Sequence, residues 1–172
     1  AWMSSEADDA LQTILESTTW MERDGKALFI SLNYGWLAEI LVARGQLRPA
    51  RQFAARALRR ARMHDHLGGA MACRALARAA RSGRYNRAPE HYLRLAAHYA
   101  SVRQSPHEQA LNAFCKGEFE LLDHRADVAG PLLEEALLGF QSIGMSWHAE
   151  RVQNVIASGA LDTSGIPAEP HR

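Results

Sequence analysis

Residues 34–58 read YGWLAEILVARGQLRPARQFAARAL, and this stretch decides the fold. From Tyr34 the apolar positions Leu37, Ala38 and Leu41 recur at steps of three and four, the spacing that keeps side chains on one face of a helix. Gly45 breaks the pattern, and Ala50, Ala54, Ala57 and Leu58 restart it. Two periodic runs joined by so short a turn predict an antiparallel helical hairpin. The small residue Ala50 predicts that the second helix approaches the first closely there.

The same arrangement recurs on the C-terminal side. Cys73, Leu76, Ala77 and Ala80 lead through Gly83 to Ala88, Tyr92, Leu95 and Ala96. Phe114, Gly117, Glu118 and Leu121 lead through His124 to Ala129, Leu133, Ala136 and Leu137. Ala50 to Ala88 is 38 residues and Ala88 to Ala129 is 41, a period near 40 that marks a repeat architecture. Across the whole chain, apolar spacing with Gly, Asn, Asp and Pro as breaks predicts eight helices. They fall at 6–22, 25–44, 47–63, 67–82, 86–102, 106–123, 127–143 and 146–158. β-Branched residues are few and sustained period-2 alternation is absent, so the fold class is all-α.

Three hairpins of this kind resemble the tetratricopeptide repeat (TPR), a helix-turn-helix with small residues at the crossing, over Ser31 to Gly144. The period is longer than the 34 residues of that family, and no unit ends in its proline. The resemblance implies a TPR-like α-α superhelix, with residues 1–158 as one repeat domain and 159–172 as a flexible tail. At finer grain, Tyr34-Gly35-Trp36-Leu37-Ala38-Glu39, Gly45-Gln46-Leu47, Pro131-Leu132-Leu133-Glu134-Glu135-Ala136 and Phe140 through Gly144-Met145 to Trp147 are similar to one bacterial group. These are the C-terminal helical arrays of multidomain regulators: ATPase-containing class III adenylate or guanylate cyclases, and transcriptional activators of the maltose-activator type. That resemblance implies a sensor or protein-interaction region whose ATPase or cyclase chemistry lies in other domains of a parent protein. A chain beginning Ala1-Trp2 fits an excised fragment.

With 47% hydrophobic and 23% charged residues the composition is that of a globular protein, which excludes disordered and low-complexity classes. No apolar run has the roughly 18 residues needed to span a bilayer, and Ala1 to Asp9 lack the basic-then-apolar order of a secretory signal. A soluble cytoplasmic chain is expected. Cys73 and Cys115 have no CxxC or Cys/His spacing around them, and read as small buried hydrophobes.

Searches for chemistry return little. There is no GxxxxGK[ST], GxSxG or HExxH, and adjacent acids such as Asp8-Asp9 and Glu134-Glu135 diverge on a helix. No catalytic residue, metal site or cofactor is assigned. His64-Asp65-His66 falls between two predicted helices, where turn chemistry explains it better than a two-imidazole metal site would. His91 and His98 share a face with Leu95 and read as a partly buried pair. Phe29, Tyr34, Trp36, Tyr92, Tyr99, Phe114, Phe119, Phe140 and Trp147 recur at helical spacing and read as core, with Trp36 also placed to face a groove.

Charge carries more information. Residues 1–43 carry a net −5, residues 44–87 a net +11 and residues 88–172 a net −5. Within the basic block, Arg74, Arg78 and Arg81 form a stripe on the fourth predicted helix. The repeat resemblance puts this helix on the concave face of the array. Two readings stand side by side: the stripe grips a ligand's carboxylates or phosphates, or it pairs with acids of adjacent units such as Glu39 and Glu118. On the first reading the groove comprises Arg74, Arg78, Arg81, Asn33, Glu39 and Asn112, with Phe119 and Leu122 as apolar contacts. Its partner is then an acidic peptide or helix, or a neighbouring domain of the same parent. The alternatives are a small anionic metabolite bound by the same arginines, or a homodimer formed through the second or eighth helix. Arg48, Arg51, Arg59 and Arg62, with Arg56 and Arg60 beside them, form a second basic set on the third helix. No recognition motif or stacking aromatic accompanies it, which weighs against nucleic acid, and no membrane partner is expected.

Overall fold

A computed structural model describes residues 7–25, 29–82 and 88–163, with side chains from Asp9 to Ser158 within those spans. The described residues form eight α-helices and no strand: α1 (Ala7–Arg23), α2 (Ile30–Ala43), α3 (Leu47–Ala61), α4 (Gly69–Ser82), α5 (Pro89–Val102), α6 (Pro106–Leu122), α7 (Ala126–Ser142) and α8 (Ser146–Thr163). No helix among the described residues is long and apolar enough to cross a membrane. The chain divides into two compact units, residues 1–104 and 105–172.

The turns explain where the helices stop. At the end of α2, Gly45 takes φ 71° and the Gln46 amide donates to the carbonyl of Leu41 five residues back. That pairing closes a helix by satisfying its last orphan carbonyls, and it requires a left-handed residue in the turn. The same closure recurs three times. His64 is left-handed while the Asp65 amide reaches Arg60; His124 is left-handed while Arg125 reaches Glu120; Gly144 is left-handed while Met145 reaches Phe140. His124 thus stands in the α6–α7 turn where Gly45 stands in the α2–α3 turn, as the repeat alignment expects. Gly83, aligned with both, lies outside the described residues, as do Lys26, Ala27 and Leu28 of the predicted second helix. That helix begins at Ile30 rather than residue 25. α8 runs five residues beyond the expected end at Ser158; the remaining tail lies outside the described residues.

In the first unit α2 packs against α1, α3 and α4, while α4 also packs on α3 and α5. α2 is apolar almost all round, and three neighbours are what such a helix needs. Its core is narrow because the residues are small: Ile30, Tyr34, Ala38, Ala54, Ala57, Ala72, Ala75 and Leu76 form one buried cluster. Leu37, Leu41 and Ala50 form another, roofed by Leu11, Ile14 and Leu15 of α1. In the second unit α7 packs against both α6 and α8, around Ala110, Phe114, Ala129, Leu133, Ala136, Phe140 and Val152. α6 starts on a capping arrangement: the Ser105 hydroxyl accepts from the Glu108 amide at 3.3 Å, with Pro106 in the first turn.

Candidate functional site

The arginine stripe of α4 is brought against α2 by the close packing of the two helices. Arg74 is 1% exposed, and its Nε donates to Glu39 Oε1 at 3.1 Å. The pair lies inside the first unit, which is the charge-pairing arrangement rather than a ligand-gripping one for this residue. Arg78 and Arg81, further along α4, are half-buried. Asn33 turns toward α1, donating to Ser17 Oγ at 3.3 Å. Asn112 and Phe119 are buried in the second unit, and Leu122 there is 64% exposed. Glu118, proposed as an acid for the stripe, lies 3.6 Å from Arg151 of α8. Of the eight groove residues, the structure therefore joins Glu39 with Arg74 and turns Asn33 elsewhere.

α3 presents a different picture. Arg48, Arg51, Arg59 and Arg62 are exposed along it. Arg56 is held by Glu22 of α1 at 2.9 Å, and Glu22 also accepts from the Tyr34 hydroxyl at 2.7 Å. Burial and this carboxylate push the Tyr34 phenol up to about 12. Burial likewise lifts the Cys73 thiol to about 12, leaving it an inert, protonated core group. Cys115 is buried too, and neither cysteine forms a disulfide.

The turn from Arg62 to Gly68 joins α3 to α4 and organises the first unit's second polar feature. The Ser31 amide donates to Asp65 Oδ2 at 3.2 Å and the Ser31 hydroxyl to Asp65 Oδ1 at 2.6 Å. The same hydroxyl accepts from the Gly68 amide at 3.0 Å. Asp65 thus caps the N-terminus of α2 from 34 residues away, a favourable place for a carboxylate at an uncapped helix start. Arg60 Nε lies 3.7 Å from Asp65 Oδ2. From α5, Arg103 Nη1 donates to the carbonyl of Leu67 at 3.2 Å. Around this turn opens a hollow of about 410 Å³, lined by Phe29, Arg60, Met63, His64, Asp65, His66, Leu67 and Arg103.

The middle residue of His64-Asp65-His66 is spent on Ser31 and Arg60, in keeping with a turn role. Among the described residues no group of three His, Cys, Asp or Glu is placed to hold a metal. His91 is half-buried and His98 exposed, so the pair is less buried than its spacing suggests. Tyr34, Phe114, Phe119 and Phe140 are core as expected, while Phe29 at 55% and Trp147 at 45% are exposed. In the second unit His107 and His148 stack edge to face with ring centroids 5.5 Å apart, and His148 also lies 4.9 Å from the Phe140 ring. Desolvation, then His107 and Arg151, hold the His148 imidazole below its usual range.

Sequence reasoning did not find Ser31, Arg60, Met63, Leu67 or Arg103 as a group. One signal was present: Gly68-Gly69 directly after a polar turn marks a close backbone approach. A Cβ on Gly68 would collide with the Ser31 carbonyl, and one on Gly69 would stand 2.8 Å from the Tyr99 ring. No family model, curated protein or solved structure matches the chain.

Proposed function

We propose that the chain is a non-catalytic, TPR-like recognition domain of a bacterial signalling or transcription regulator, binding an acidic peptide, helix or neighbouring domain. The observation that carries this reading is a charge imbalance within the first unit. Between Glu39 and Glu90 the only acid is Asp65, and it is engaged with Ser31 and Arg60. Arg48, Arg59 and Arg62 stand exposed on a helix without a single acid. Such a surface raises the local concentration of anionic partners and speeds their encounter, and its guanidinium groups bind carboxylates two bonds at a time. Hairpins with alanine seams supply the rigid support: Ala54 and Ala57 on α3 are fully buried, so their helix presents the arginines in fixed register. With Arg74 committed to Glu39, the recognition surface shifts from the α4 stripe to the outward side of α3, with Arg78 and Arg81 as the part of that stripe still reaching solvent.

The test is fluorescence anisotropy of the whole chain with a labelled glutamate-rich helical peptide and its glutamine counterpart, across a salt series. The acidic peptide binds at least about tenfold tighter at low salt, and Arg48→Glu with Arg59→Glu removes that advantage. Loss on Arg78→Glu alone would return the contact to α4. Equal binding of both peptides, or binding unaffected by any of these reversals, would sink the reading.

A further inference from the structure

The hollow beside the 62–68 turn stands apart from the peptide-binding reading, and three independent observations mark it. At about 410 Å³ it falls within the size range of small-molecule pockets. Its rim holds two exposed apolar side chains, Phe29 at 55% and Met63 at 66%, beside the half-buried Leu67. Phe29 takes φ 63°. A left-handed aromatic residue is uncommon and costs conformational energy, and here it keeps a large ring at the rim rather than in the core.

Charge selects the ligand class. Arg60 and Arg103 carry two positive charges into the lining, and Asp65, tied to Ser31 and Arg60, carries one negative charge. These three charges sum to one positive, which suits a monoanion better than a phosphate ester or a cation. The apolar rim asks for a hydrophobic body attached to that anion. We propose that this hollow binds a small monocarboxylate with an apolar body, its carboxylate toward Arg103 and Arg60 and its body between Phe29, Met63 and Leu67. The position has a consequence for the fold. Leu67 receives the Arg103 hydrogen bond and Asp65 caps α2, so a ligand here touches the turn that ties α2, α3, α4 and α5 together.

The experiment titrates the whole chain with 3-phenylpropionate and with its neutral twin, 3-phenylpropionamide, by calorimetry and by amide chemical shifts. The carboxylate is expected to bind about tenfold tighter than the amide, because one charge-assisted contact is at stake. Shifts should concentrate at Phe29, residues 60–67 and Arg103. Arg103→Gln and Met63→Asp should each weaken the carboxylate about tenfold. Arg103 also holds the turn, so Met63→Asp, at a side chain that is 66% exposed, decides the matter if Arg103→Gln disturbs folding. Equal affinity for the amide, shifts centred elsewhere, indifference to Met63→Asp, or no saturation below about 10 mM would each overturn the proposal.

Discussion

The two units use the same hairpin and the same helix closure, yet they hold their helices together by different means. In residues 105–172 the seam is mostly apolar, with Glu108 and Asn112 the polar side chains buried beside it: Phe114 and Phe140 fill the space between alanines, and Gly117 and Gly139 admit side chains from the facing helix. In residues 1–104 the core is alanine-rich, and polar groups are built into the interior. Arg74 is buried against Glu39, and Ser31 sits fully buried between Asp65 and Gly68. Alanine seams bring backbones close but bury little area per residue, so directional bonds supply specificity that bulky side chains supply in the other unit. The comparison teaches that a hairpin's sequence pattern fixes the approach of its helices without fixing the chemistry that secures them.

The largest test of this contrast is a matched pair of glycine substitutions. Gly68→Ala drives a methyl into the Ser31 carbonyl, backbone against backbone, and should cost about 3 kcal/mol or more. Gly117→Ala meets chiefly the Leu133 side chain, Cδ2 at 2.7 Å and Cγ at 2.8 Å, which can give more readily than backbone, and the gain in helix propensity offsets part of the strain. Its cost should be about 1 kcal/mol. Hydrogen exchange on the full chain reads each effect in its own unit, and equal losses would remove the distinction.

A smaller effect separates polar from apolar security. Glu39→Ala withdraws a carboxylate from the buried Arg74 and should destabilise the first unit by about 2 kcal/mol in urea denaturation. Replacing both partners, Arg74→Met with Glu39→Leu, should recover most of that loss, since an apolar pair fits a dry site at no desolvation cost. If the double substitution is worse than the single one, the pair stabilises more than its burial costs.

The smallest effect belongs to the second unit and to pH. The His148 imidazole is held below its usual range in the folded chain, so the unfolded chain binds the proton more readily. Its contribution is therefore intact above the unfolded value of about 6.5 and declines as pH falls from there toward the folded one. Amides of α8 should lose protection between pH 7 and pH 5 faster than those of α2, and His148→Gln should flatten that difference. A larger acid sensitivity in α2 would contradict it.

The eight helices were legible because three- and four-residue spacing and turn residues are local signals. The equivalence of Gly45 and His124 could be read from the repeat alignment before their shared left-handed turn was known. The candidate sites were less legible. Arg74, Arg78 and Arg81 look alike on a helical wheel, yet one is buried on Glu39 and two reach solvent, because a wheel gives direction but not the depth of the neighbouring helix. Phe29 reads as core by type, and its left-handed backbone instead leaves it at the rim of a hollow.

Sequence by itself determined the all-helical class, the helical hairpins, the basic middle and the small residues at their crossings, since all of these rest on neighbours within a few turns of chain. Only the tertiary structure decided that Asp65 caps a helix 34 residues away, that Glu39 takes Arg74, and that Arg60 and Arg103 meet around one hollow. Those partners are distant in sequence, and their meeting depends on how close two backbones can come, a quantity set by Gly68 and the alanines acting together.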